Sequence, residues 1–269
     1  MALENTLPGV PPLKRINGVV IGIVVDNKHP DGLYRIKVKF PWIKESDGKY
    51  TDEPDDESFV STWARIATFM AGPDRGAFWL PEIDDEVLVA FEHGDLRRPF
   101  IIGSLWNGKD KAIHTNKSQD GKNNFRSIRS RSGHVLQFVD NDDGKERIVL
   151  QTKVAPDETQ KDAESRDGHF IVIEHTDGKE KIEIYDRTQK NYMLIDSTNN
   201  KITVQSKEGD ILISAPQGKI TIEAKELVTK TSSKTSMSAD GAVEINGQKT
   251  IYVKAGSTMT IKGAQVKIN

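Results

Sequence analysis

The sequence predicts an all-β protein in two parts, a small barrel of short antiparallel strands followed by a narrow fibre built on a short repeat. Three observations carry this expectation. Through residues 18–103, short apolar and alternating runs are separated by turn residues, and no stretch of useful length has helical periodicity. Composition then shifts, because all four Trp and nine of the eleven Pro fall before residue 110, whereas residues 200–269 hold one Pro and one aromatic residue, Tyr252. From residue 178 onward, a turn residue followed by an apolar-x-apolar triplet recurs, in places every nine residues.

The first part is read strand by strand. Gly18 to Asp26 is a continuous apolar run, the mark of a buried strand, and Asp31-Gly32 turns the chain into Leu33 to Phe40. There Arg35, Lys37 and Lys39 alternate with apolar residues, so the strand is half-buried; Pro41, which has no amide donor, is expected to end it. Further strands are expected at Trp63 to Ala67, Glu86 to Phe91 and Pro99 to Gly103, with Gly94-Asp95 as a turn between the last two. Short strands at this density suggest a small antiparallel barrel such as an OB-fold over residues 17–109, preceded by an arm at 1–16. The acidic run Asp52, Glu53, Asp55, Asp56 and Glu57 reads as a solvated excursion from the barrel, and the basic run Arg126, Arg129 and Arg131 as a solvated face.

Residues 110–169 are expected to form a neck with early strands, and residues 170–269 the fibre. Its triplets are Ile182 and Ile184 after Gly178, Ile202 and Val204 after Asn200, Ile211 and Ile213 after Gly209, and Ile220 and Ile222 after Gly218. They continue with Val243 and Ile245 after Gly241, Ile251 and Val253 after Gly247, Met259 and Ile261 after Gly256, and Val266 and Ile268 after Gly263. Alternation along a strand points both apolar residues of a triplet one way and the polar residue between them the other. One copy cannot bury such a face economically. Each branched side chain contributes ~1.5–3 kcal/mol on burial, whereas ordering about eight residues of backbone costs on the order of 8–16 kcal/mol. Three copies wound together would pool six aliphatics per rung and pair each backbone with its neighbours. The expectation is an intertwined trimeric β-helix, a triangular-prism needle whose core holds the triplet residues from Ile182 to Ile261, with Val266, Ile268 and Asn269 on the last rung. A single-chain solenoid would need longer coils and a β-sandwich larger core residues.

Composition and motifs exclude much else. No Cys is present, so neither disulfides nor thiolate chemistry can operate, and 38 basic against 40 acidic residues give no global pull toward nucleic acid or anionic membrane. The first residues lack a basic segment followed by an apolar one, so no signal peptide is expected. The six His are scattered without HExxH spacing, leaving only a symmetric site built from one His per copy. Carboxylates such as Asp84, Asp85 and Glu86, or Asp140, Asp142 and Asp143, lie beside turns whose backbone donors they satisfy, rather than as a glycosidase pair. Neither GxSxG nor GxxxxGK[ST] occurs, so no catalytic, cofactor or metal residue is nominated. Single-stranded nucleic acid is the competing ligand for an OB barrel, but Trp42, Trp63, Trp79 and Trp106 sit among apolar neighbours and read as core or contact residues. A receptor-binding fibre is the other alternative, yet the sequence runs to Asn269 without a distal head.

The ordered segments Gly18–Val25, Asp31–Trp42, Trp63–Ala67, Arg75–Phe91, Arg98–Asn107 and Ser127–His134 resemble phage baseplate assembly protein V and the spike core of valine-glycine-repeat (VgrG) proteins. The resemblance spans residues 17 to about 150. It implies a homotrimer with an OB barrel that sits on a separate hub protein, a neck, a β-helix spike, and a PAAR-type tip protein at the C-terminal end. It also implies mechanical rather than enzymatic function: puncture of a target membrane by a machine assembled in the cytoplasm and delivered outside the cell. The large hub-like domain of full-length members has no room before Gly18 and no lysozyme domain is inserted, so a minimal spike is expected.

Overall fold

The computed structural model describes residues 15–44, 58–115, 121–141, 144–153 and 168–268; the acidic excursion, most of the arm and Asn269 lie outside them. The chain divides into two units, residues 1–211 and 212–269.

The first unit begins with the barrel. Its strands are β1 (Val19–Asp26), β2 (Arg35–Lys44), β3 (Ser58–Val60), β4 (Ala64–Ile66), the short hairpin β5 (Ala71–Gly72) and β6 (Arg75–Gly76), then β7 (Glu86–Phe91) and β8 (Pro99–Ser104). Their order is β1-β7-β8-β4-β2, and β2 pairs back onto β1, which closes a five-stranded ring. All ring pairings are antiparallel except β4 with β8, which run parallel, and β3 lies against β2. This is the OB arrangement. Inside it, Val24, Ile36, Val38, Phe40, Ala64, Val87, Val89 and Ile101 are essentially fully buried, as the alternation in the sequence requires. Gly22 faces the same interior, where a β-carbon would sit 2.2 Å from Val38 Cγ1. At the opposite end Gly94, at φ 76°, lets the β7–β8 loop pass under Ile16, whose amide donates to Gly94 O at 3.0 Å. The second strand does not stop at Pro41 but continues to Lys44. Its register against β3 shifts between Phe40 and Lys44, so the missing proline donor falls outside the ladder.

Beyond the barrel, β9 (Phe125–Arg129), β10 (Val135–Val139), β11 (Arg147–Gln151), β12 (Phe170–Glu174), β13 (Lys181–Tyr185), β14 (Asn191–Asp196) and β15 (Lys201–Ser206) form one antiparallel meander in chain order. The meander passes residue 170 without a break. Turn residues with positive φ, among them Gly133, Gly178 and Asn200, reverse the chain between strands. Arg131, in the β9–β10 turn, ties this sheet to the barrel through an ion pair with Glu82 at 2.9 Å.

The character of the chain changes after Ser206. No strand is assigned among the described residues of the second unit, and its one backbone–backbone hydrogen bond runs from Gly218 N–H to Ala215 O, at 3.1 Å.

Candidate functional site

The meander has two faces of different chemistry, and its register states which residue shares which face. Directly opposed residues lie on the same side of an antiparallel sheet. One row runs Ile128, Leu136, Leu150, Ile171, Ile184, Met193 and Val204 across all seven strands. A second row on the same face runs Phe138, Ile148, Ile173, Ile182, Ile195 and Ile202. At the ~4.8 Å spacing of strands these rows extend for about 30 Å. Nearly all their members are exposed, from 36% at Ile182 to 70% at Ile202, although every one is aliphatic or aromatic. Each has on the order of 1 kcal/mol still to gain on burial, and a contiguous apolar face of this extent marks a surface made to be covered. A groove of about 620 Å³ follows one margin of the face, lined by Leu150, Ile171, Ile184, Met193, Val204 and Ile211 with Tyr185 and Tyr192 beside them.

The opposite face is mixed and largely buried: Val135, Val139, Val149 and Phe170 lie on it beside the buried polar residues Gln137, Gln151 and Glu183. Arg147, Glu174, Lys181, Asp196 and Lys201 form a cross-strand row of alternating charge, with Lys181 Nζ 3.4 Å from Glu174 and 3.3 Å from Glu183. Phe170, Tyr185 and Tyr192 stack in another row, ring centroids 5.0 and 4.8 Å apart. The turns are held by carboxylates. The Asn199 side chain and then its amide hold Asp196 below its ordinary pKa; for Asp186 burial pushes upward, and hydrogen bonds from Thr188, Asn191 and Lys190 more than offset it. Opposite charges in alternate strands favour one register, and in that register every aliphatic of both rows faces the same way.

Four of the residues assigned to the needle core from sequence, Ile182, Ile184, Ile202 and Val204, fall in these two rows. The rows also contain Met193, Ile195, Ile171, Ile173, Ile148 and Leu150, which the triplet pattern passed over. Its members Tyr192 to Ile195 are apolar at successive positions and show no alternation. The remaining triplets are all exposed and obey a regular rule. The first residue of each, at Ile211, Ile220, Val243, Ile251, Met259 and Val266, is 50–54% exposed, and the second, at Ile213, Ile222, Ile245, Val253, Ile261 and Ile268, is 67–87% exposed. Successive triplets therefore repeat one pattern of exposure. On the barrel, Trp42 packs against the core and donates its indole N–H to Ile21 O at 2.8 Å. Trp79 and Trp106 are more than half exposed, contrary to a core role, because they lie on connections rather than on inward strand positions. Among the described residues no cluster of three or more His, Asp or Glu side chains could hold a metal ion, and no helix is long and apolar enough to cross a membrane.

Residues 20–106, which hold most of the closed OB ring, match the type VI secretion system/phage-baseplate injector OB domain family. Beyond that segment, the chain is similar to VgrG-type spike proteins. It is 29% identical over 170 residues to the type VI secretion system spike protein VgrG4b of Pseudomonas aeruginosa, covering 62% of this chain and 20% of that protein. With VgrG2a of the same organism it shares 32% identity over 108 residues, 39% of this chain and 12% of that protein. With VgrG1a the similarity extends over 256 residues at 24% identity, 93% of this chain and 38% of that protein. The chain thus spans well under half the length of each.

Proposed function

We propose that this chain is the structural spike of a contractile injection machine, a trimer whose C-terminal part is the needle. The observation that carries the reading is the backbone of residues 212–268, which makes a single internal backbone hydrogen bond while presenting a recurring series of exposed aliphatic pairs. Backbone donors and acceptors removed from water need partners, and an unpaired one costs about 1–3 kcal/mol. Two further copies supply those partners rung by rung. The same association covers the two apolar rows of the meander. A shaft with its sheet edges paired transmits axial force without fraying, so rigidity is the activity and no catalytic group takes part. The relatives carry the name of type VI secretion spike proteins, and the same role is assigned here.

In this arrangement the barrel docks on a separate hub protein, and Val266, Ile268 and Asn269 on the last rung meet a PAAR-type tip protein. Contact with the target membrane is transient, and nucleic acid is not a partner. The spike is assembled in the cytoplasm and travels in an injection particle. Light scattering on the full chain tests the core of the proposal: a mass three times the 30.0 kDa of one chain is expected, and a monomer at micromolar concentration overturns it.

A further inference from the structure

Two unlike surfaces of the barrel remain uncovered, and their chemistry is complementary. The first is the outer side of β1, β7 and β8. Residues whose neighbours point into the core must point out, and those outward positions hold Val19, Ile21, Leu88, Ala90 and Phe100, with Ile102 at the bulge between the β7 and β8 registers. Outer barrel positions facing water are ordinarily polar, so a patch of six apolar side chains marks a contact. Along its edge the row passes from Phe100 to Arg65 and on to Arg35, which are directly opposed in register. Arg65 lies over the Phe100 ring, 5.5 Å from its centroid, and among the described residues neither arginine pairs with a carboxylate, so two facing cations leave the rim set for an acidic neighbour.

The second surface is the connection from β4 to β7. It carries Phe69 at 85%, Phe78 at 74% and Trp79 at 56% exposure. Phe78 and Trp79 are held rather than loose. Tyr34 donates its hydroxyl to Trp79 O at 2.7 Å, accepts the Trp79 amide at 3.1 Å and packs its ring 5.1 Å from Phe78, while the Ala77 amide donates to Met70 O. Asp74 lies at its hairpin tip beside Arg75, and Asp84 and Asp85 flank its far end, so carboxylates outnumber cations here. A rigid aromatic cluster bounded by carboxylates is what an apolar patch with a cationic rim fits.

We propose that the barrels of neighbouring copies meet head to side, the aromatic connection of one seated on the β1–β7–β8 face of the next. Two different patches on one chain make a heterologous contact, and three copies close it into a ring with every patch used once. The inference rests on the trimer proposed above and adds a second, independent interface at the base. The occupant is a second copy because the complementary surface is on this chain itself.

The absence of Cys gives a clean background for the test. Ile102→Cys and Phe78→Cys lie at exposed positions, so each variant is expected to fold, and the full chain carrying both is treated with a short bismaleimide. Covalent dimers and trimers are expected from the double variant and only single chains from either variant alone. Absence of covalent oligomers, where light scattering still gives a trimer, overturns the barrel contact and leaves the needle standing. A covalent dimer from Ile102→Cys alone overturns it in favour of a symmetric face-to-face contact. A scattering mass of one chain overturns the trimer itself.

Discussion

At the scale of single residues, Gly22 shows how a position can be decisive and unreadable. The run from Val19 to Val25 announces a buried strand, but nothing in it marks the glycine as the place where β1 touches β2. A β-carbon there meets Val38 Cγ1 at 2.2 Å, with Phe40 and Val89 next. Gly22→Ala is therefore expected to destabilise the barrel by about 1–3 kcal/mol, the usual cost of an overpacked core. All four Trp lie before residue 110, so tryptophan fluorescence in a denaturant titration reads the barrel alone. An unchanged midpoint would mean that β1 and β2 can separate without loss. Asp95 makes a second case. The Arg97 side chain hydrogen-bonds its carboxylate and lowers its pKa from 3.8 to about 2. A lowered carboxylate stabilises the folded state above the unfolded pKa, and that contribution disappears as pH falls through the folded one. The stability difference between wild type and Asp95→Asn, followed by the same fluorescence, is expected to be small because the group is at the surface. It should be constant above about pH 4 and shrink toward zero as pH falls to about 2; a difference that grows on acidification contradicts the assignment.

At the scale of elements, legibility follows periodicity. The β1–β2 hairpin was readable because one strand is continuously apolar and the other alternates, and the ring strands β7 and β8 were readable for the same reason. Strand β14 was not, since Tyr192 and Leu194 face one side while Met193 and Ile195 face the other, which leaves no alternation. The meander's continuity from β9 to β15 was also hidden. Pairing between neighbours is a property of register, and register is written in cross-strand charges such as Arg147 with Glu174, far apart in sequence. The two faces make a direct prediction. Ile184 stands in the middle of an apolar row, so Ile184→Asp places a charge where the assembly buries its surface; the expected outcome is loss of the trimer in light scattering. Thr203, opposed to Leu194 on the other face, tolerates the same change, and Thr203→Asp should leave the mass unaltered. Equal effects of the two substitutions would mean that the faces are not distinguished by assembly.

At the scale of the whole molecule, the barrel and the C-terminal repeat obey opposite rules of completion. The barrel satisfies its backbone within one chain by closing on itself, whereas residues 212–268 leave theirs open. Spacing of the triplets made the repeat legible; how the segment pairs was not, because in the proposed trimer the partners belong to other copies and no single sequence lists both sides of an intermolecular ladder. Amide hydrogen exchange separates the two rules. An amide bonded to a neighbour exchanges only when that bond opens, and one bonded to water exchanges freely. In the wild-type assembly, peptides from residues 212–268 are expected to exchange slowly. In Ile184→Asp, held as single chains, the same peptides should exchange at the rate of unstructured chain, while peptides covering β1 and β7 stay protected in both. Protection of residues 212–268 in the monomeric variant would show that one copy pairs its own backbone, and the intertwined needle would then have to be abandoned.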